Sequence, residues 1–237
     1  MAKAKIRIGT SGFSYKQWLG GFYPEKLPAT KMLEYYSERI PTVEINYSFR
    51  AMPKTAMLEG WASRTPADFR FALKAHQRIT HFARLRDVAE TTDVFIGRAT
   101  VLGERLAPAL FQLPPDFKLD LPVLRDFLAM LNRRIRAAFE FRNASWFDDS
   151  VLTALADNGA ALCIAETEKL ASPIQRTAPY VYLRLRKETY DDAGLDLWAK
   201  NIETLSSGAD EIFVYFKHEN SAPDLAMRLH AKLQAGE

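Results

Sequence analysis

Eight short runs rich in β-branched and aromatic residues recur along the chain, separated by stretches whose apolar residues repeat at three and four. The runs are IRIG (6–9), TVEIN (42–46), FRFALK (69–74), APALFQL (107–113), AAFEF (137–141), AALCIA (160–165), YVYLRL (180–185) and EIFVYF (211–216). Such alternation predicts parallel strands joined by helical crossovers. Segments such as LPVLRDFLAMLNRRI and LDLWAKNIETLSS supply the amphipathic helices. Eight units in 237 residues match the size of a (β/α)8 barrel. The expected fold is therefore α/β, a single TIM-barrel domain over residues 1–237.

An open doubly wound sheet would alternate in the same way, but it calls for a glycine-rich phosphate turn that runs straight into a helix. GTSGF (9–13) offers Gly9 and Gly12 and lacks the third glycine. Pro and Gly fall between segments: LPPDF (113–117) ends the fourth strand, and DNGA (157–160) closes the helix that starts near Asp148.

Alternation along each strand sorts the residues into two sets. Val43 and Ile45 share one face, Glu44 and Asn46 the other; Phe139 and Phe141 oppose Glu140 and Arg142. Phe69, Phe71 and Leu73 oppose Arg70, Ala72 and Lys74, while Val181, Leu183 and Leu185 oppose Tyr182, Arg184 and Arg186. Gln112 falls opposite Phe111 and Leu113. Amphipathic helices offer a dry surface to the apolar set, so the polar set is expected to point into the barrel. Several of its members sit at the last position of a strand, where barrel enzymes place their chemistry. Stability alone is a poor reason for burying so many charges, since ion pairs rarely improve on apolar packing.

The charge balance, 32 Lys plus Arg against 29 Asp plus Glu, gives a net +3. That is too small to indicate nucleic acid without a local cluster, and it tilts toward anionic partners. Cys163 has no mate for a disulfide within the chain, which fits a reducing compartment. MAKAKIRIG at the start carries two lysines with no apolar run behind them, and no stretch is long enough for a membrane span. A cytoplasmic location with no membrane partner is expected.

The segments GTSGFSYKQWLGGFYP (9–24), EINYSFRAMP (44–53), FALKAHQRITH (71–81), LAPALFQLPPDF (106–117), EFRNASWF (140–147) and YVYLRL (180–185) cover most of the chain. Together they resemble the YecE-like proteins, the family of domain of unknown function 72. The resemblance implies a TIM barrel and a loose relation to sugar isomerases, without a settled substrate. Two places depart from the family pattern. Arg186 and Lys187 stand where members usually carry His-Gly, and Lys217, His218 and Glu219 stand where they tend to carry Asn-Asn-Asp.

Glu44 and Glu140 are the candidates for acid/base work, as a barrel mouth can hold two carboxylates in unlike environments. Lys74 is an electrostatic clamp or, if desolvated, an imine-forming amine. Arg142, Arg184 and Arg186 are forked donors suited to a carboxylate or phosphate. The loops after strands seven and eight, a common barrel phosphate site, add Lys187, Lys217 and His218, and SAPD (221–224) reads as a helix start. Tyr15, Trp18 and Trp146 are expected to offer ring faces to a sugar or base, with Asn46 and Gln112 as further binding residues. No cofactor is expected; a divalent ion held by Glu44, Glu140, Glu166 and His218 is the alternative. The partner expected is a small anionic molecule such as a sugar phosphate, acted on by isomerase- or hydrolase-type chemistry. A nucleic-acid-binding barrel and a non-catalytic metabolite-binding barrel are the other readings.

Overall fold

The computed structural model describes residues 4–235. Eight parallel strands follow the order expected: β1 (Lys5–Ser11), β2 (Thr42–Ile45), β3 (Arg70–Leu73), β4 (Ala109–Gln112), β5 (Ala137–Glu140), β6 (Ala161–Glu166), β7 (Tyr180–Leu185) and β8 (Glu211–Phe216). They pair in the order β3-β2-β1-β8-β7-β6-β5-β4. The two ends of this sheet meet through the bridges Phe71↔Leu106 and Lys74↔Leu110, with Ala75 N donating to Leu110 O at 2.8 Å and Ala107 N to Phe71 O at 2.9 Å. The result is a nearly closed barrel.

The helices are α1 (Met32–Ser37), α2 (Tyr47–Arg50), α3 (Thr55–Ser63), α4 (Ala89–Ala99), α5 (Leu121–Leu131), α6 (Asp149–Asp157), α7 (Asp192–Ser206) and α8 (Ala222–Ala235). Their starts are chemically marked. Asp120, Asp148 and Asp191 each accept a backbone N–H of the first turn, from Val123 at 3.2 Å, Ser150 at 2.9 Å and Gly194 at 2.8 Å. These caps satisfy donors that a helix leaves unpaired and favour the positive end of its dipole.

One unit departs from the expected alternation. No helix lies between β6 and β7; residues 167–179 instead turn back beside β6 through the antiparallel bridge Glu166↔Ala171. Pro173 and Pro179 remove two backbone donors from this stretch. Hydroxyls replace the lost pairing: Leu162 N donates to Thr177 Oγ1 at 2.7 Å, and Ala165 N to Ser172 Oγ at 3.1 Å.

The two faces of the sheet separate as the alternation demands. Val43, Ile45, Phe71, Leu73, Phe111, Phe139, Phe141, Leu183 and Leu185 pack in the layer shared with the helices. The lumen holds Ala72, Ala138, Ala161, Cys163 and Ala165 together with Tyr180, Tyr182, Phe213 and Tyr215. Small residues on β3, β5 and β6 leave the volume that the rings of β7 and β8 fill. Gly9 explains the first glycine of GTSGF: a Cβ there would stand 2.0 Å from Thr42 O, so β1 and β2 approach this closely only without a side chain.

At the amino end of the barrel Arg7 is buried, with Nη2 2.8 Å from Asp68 Oδ1 and Nε 3.1 Å from Glu211 Oε1. Arg136 Nη1 meets the other oxygen of Glu211 at 2.7 Å. This network closes the end opposite the site, where barrel residues serve stability.

Candidate functional site

The last lumen-facing residues of β2, β4, β5 and β7, with Lys74 just beyond β3, converge at the carboxyl end of the barrel. Glu44 and Glu140 are fully buried, and Arg184 between them is 1% exposed. Arg184 Nη2 donates to Glu44 Oε1 at 2.8 Å, and its Nη1 donates to Glu140 Oε2. Glu44 also accepts from Ser11 Oγ at 2.5 Å and Tyr182 OH at 2.8 Å, while Asn46 Nδ2 donates to Ser11 Oγ at 2.7 Å. Arg142 pairs with Glu140, and Arg186 Nη1 lies 3.8 Å from Glu140 Oε1. Burial raises the cost of ionising Glu140, yet Arg184 and Arg142 outweigh it and hold the carboxyl below its usual range. Arg184 thus bridges the two carboxylates that the sequence suggests for acid/base work.

Lys74 stands apart. Its Nζ donates to Gln112 Oε1 at 2.8 Å and lies 3.9 Å from the centroid of the Phe49 ring. Burial, reinforced by the charge of Arg184, brings its pKa down to about 8, against the pull of Glu140 and Glu44. His81 packs edge-on to the same Phe49 ring, centroids 4.8 Å apart, and its Nδ1 meets Thr80 Oγ1 at 2.9 Å. Burial and the nearby Lys74 keep this imidazole below its ordinary pKa.

Outside this buried group a cleft of about 570 Å³ opens, lined by Gln112, Arg142, Thr167, Lys169 and Arg186 together with the acidic Glu168 and Glu188. Among the buried polar atoms without a hydrogen-bond partner are Nε of Arg142, of Arg184 and of Arg186. Buried donors ordinarily find acceptors, so two of the arginines that line the cleft carry spare capacity for an anion.

The other expected residues fall elsewhere. Trp146 is fully buried outside the lumen: its ring stacks on Phe141 at 4.8 Å and meets Phe117 at 5.2 Å, and its Nε1 donates to Phe117 O at 2.6 Å. Trp18 is buried too, donating to Glu219 O at 2.8 Å and so tying the first loop to the loop after β8. Neither offers a ring face to a ligand. Tyr15 is half-buried near the mouth, its hydroxyl donating to Ser11 O at 2.8 Å; burial, then Glu44 and Glu219, raise its pKa. His218 links the last two mouth loops: Nε2 lies 2.6 Å from Glu188 O, and Nδ1 lies 2.8 Å from Ser221 Oγ. Lys187 is paired with Glu166 at 2.7 Å.

The proposed metal ligands do not gather. Glu166 accepts from Trp198 Nε1 at 2.9 Å as well as from Lys187, and Arg184 occupies the space between Glu44 and Glu140. Among the described residues no group of three or more His, Cys, Asp and Glu is placed to hold a metal ion. The Cys163 thiol lies in the lumen, where burial pushes its pKa well up, so it is a packing residue rather than a nucleophile.

Ser11, Phe49 and His81 belong to the site and were not singled out in the sequence. Ser11 had a usable signal, as it lies two residues beyond Gly9 on the lumen face of β1. Phe49 and His81 had none, because each follows its strand in a turn of short helix, α2 and the π-turn Arg78–Phe82.

Comparison with known proteins decides the family. The model described as "Protein of unknown function DUF72" matches residues 7–237. The chain belongs to the DUF72 family. Among curated relatives of this DUF72 chain, UPF0759 protein YunF of Bacillus subtilis is 34% identical over 151 residues, which cover 60% of this chain and 52% of that protein. UPF0759 protein YecE of Escherichia coli K12 is 32% identical over 143 residues, covering 60% and 50%. The chain thus spans about half the length of the curated relatives it matches. The solved structure of a DUF72 family protein from Thermotoga maritima has a TM-score of 0.82 at 25% identity, covering 98% of this chain and 100% of that one. One from Enterococcus faecalis has a TM-score of 0.80 at 20% identity, covering 97% and 95%. These likenesses carry the barrel. No helix among the described residues is long and apolar enough to cross a membrane.

Proposed function

We propose that this DUF72 protein is an enzyme acting on a small anionic, sugar-like molecule at the carboxyl end of its barrel, by proton transfer of the isomerase or hydrolase type. One observation carries the reading: Lys74, Arg142, Arg184 and Arg186 gather around Glu44 and Glu140 at the inner wall of the mouth, and the Nε atoms of the three arginines are buried without acceptors. Desolvated arginines make strong, forked contacts with carboxylate or phosphate.

The roles follow from the geometry. Arg142 and Arg186 line the cleft and take the anionic group. Arg184 is consumed by Glu44 and Glu140, so it fixes the field of the site instead of clamping the ligand. Glu140 remains ionised, and Lys74, its pKa brought down to about 8, can exchange a proton near neutral pH. Gln112 contacts both Lys74 and the cleft, which sets the direction from anion clamp to reacting atom.

A thermal-shift screen of sugar phosphates, acidic sugars, nucleotides and divalent ions, run on the parent and on Arg142→Ala, tests the reading. An acidic or phosphorylated sugar should stabilise the parent and lose most of that effect in the variant. Equal protection of both proteins would remove the anion clamp. Protection by single-stranded oligonucleotides with a steep salt dependence would replace the small-molecule reading with the nucleic-acid one.

A further inference from the structure

The geometry points to Lys74 as a nucleophile that forms an imine with the carbonyl group of an anionic aldehyde or ketone. This rests on the anion-binding reading above and goes further, since a charge clamp and a covalent amine require different surroundings. A clamp works fully charged and gains from a carboxylate that holds it in place. Lys74 has neither feature. It is only 8% exposed, and among the described residues it makes no ion pair although two carboxylates lie in the same mouth. Both carboxylates are occupied by arginines, and the ammonium is left with a neutral amide and a ring face.

The amide oxygen and the ring face hold the ammonium, while burial and a neighbouring charge work against it. Desolvation penalises the ammonium, and Arg184 adds like-charge repulsion; the resulting pKa of about 8 leaves roughly a tenth of the amine free at pH 7. An ordinary lysine near 10.5 has a free fraction about 300-fold smaller. Gln112 fixes the position of Nζ and also lines the cleft beside Arg142 and Arg186. In this arrangement the ligand's carboxylate or phosphate rests on those arginines and its carbonyl end is directed past Gln112 toward Lys74.

The step balances without a further reagent. The Nζ lone pair forms a C–N bond while the carbonyl π pair moves to oxygen, which takes a proton and gives a carbinolamine. The nitrogen then expels that oxygen as water, after a second proton reaches it, and the product is a protonated imine. His81, edge-on to the same Phe49 ring and below its ordinary pKa, and the ionised Glu140 are the titratable groups nearest in the fold to relay these protons. The substrate class is thus narrowed to open-chain carbonyl compounds that carry an anionic group.

Reductive trapping tests this on the unaltered protein. Pyridoxal 5′-phosphate and glyoxylate, a phosphate and a carboxylate probe, are added in less than molar equivalence at pH 7 with borohydride or cyanoborohydride. The alkylated lysine is then mapped by peptide mass spectrometry. Lys74 should carry the adduct more than about tenfold ahead of the exposed Lys16 and Lys26, given the free amine that its lowered pKa supplies. Arg142→Ala should reduce labelling by the two anionic probes by a clearly larger factor than labelling by uncharged propanal. Adducts spread over surface lysines with Lys74 bare overturn the proposal. If anionic ligands still stabilise the protein in that case, Lys74 is a clamp and the anion-binding reading survives; if they do not, both fall.

Discussion

Tyr182 donates its hydroxyl to Oε2 of Glu44 across 2.8 Å, while Arg184 holds Oε1 of the same carboxylate. Burial keeps the phenol protonated by pushing its pKa well up, so the donor is present at every ordinary pH. Tyr182→Phe should leave the barrel folded and cost about 1.5–3 kcal/mol, the range for a hydrogen bond to a charged group. Urea unfolding of the two proteins measures it, and an unchanged midpoint would show that Glu44 does not depend on this contact.

Removing Glu140 should cost more. Glu140→Gln leaves Arg184 and Arg142 without their shared countercharge, and breaking a buried pair on one side costs about 3–5 kcal/mol. Adding Arg142→Met to the variant should restore part of the loss, a coupling that a double-mutant cycle reads directly. The folded pKa of Glu140 lies below its unfolded value, so its contribution is complete above roughly pH 4.5 and disappears as pH falls through the folded value. The acid limb of the parent's stability curve should therefore be steeper than that of Glu140→Gln.

Lys74 predicts the opposite limb. Its folded pKa of about 8 lies below the value of 10.5 taken for the unfolded chain. Between these values the unfolded state binds more protons, and stability rises with pH. The rise amounts to about 3 kcal/mol by pH 10.5, at 1.36 kcal/mol per unit. Subtracting the curve for Lys74→Met isolates it, and parallel curves for the two proteins from pH 7 to 10.5 would mean that the amine is not desolvated.

Trp146 separates packing from binding. Trp146→Ala should lose about 3–5 kcal/mol, as for other large buried aromatics, because its ring contacts Phe141 and Phe117. Trp146→Phe should lose less, yet both should retain the affinity for any anionic ligand found for the parent. Isothermal titration decides between this and a ring that touches the ligand.

The barrel was legible because strand alternation is a period-two signal that burial enforces at every position. Glu44, Glu140 and Arg184 were placed on one inner face by that rule alone, and they meet there. The missing helix between β6 and β7 was foreshadowed by Pro173 and Pro179, whose effect an eightfold pattern obscured. Trp18 and Trp146 misled for a different reason: an aromatic residue in a loop looks the same in sequence whether its ring faces a ligand or a core, and indole N–H groups at 2.8 Å and 2.6 Å from backbone carbonyls are visible only in three dimensions. Phe49 and His81 were hidden because short helical turns bring Phe49 over Lys74 and His81 against the Phe49 ring, and no periodicity records that approach.

Strand β1 pairs in register with β8 from Lys5↔Glu211 to Thr10↔Phe216, whereas β3 and β4 are joined only by single bridges. On the ribosome, then, one edge of β1 stays bare until nearly the entire barrel has been translated. A bare strand edge invites pairing with another nascent chain, and charged residues discourage it. Lys5 and Arg7, which anchor Asp68 and Glu211 in the finished protein, are in place to guard that edge during the wait.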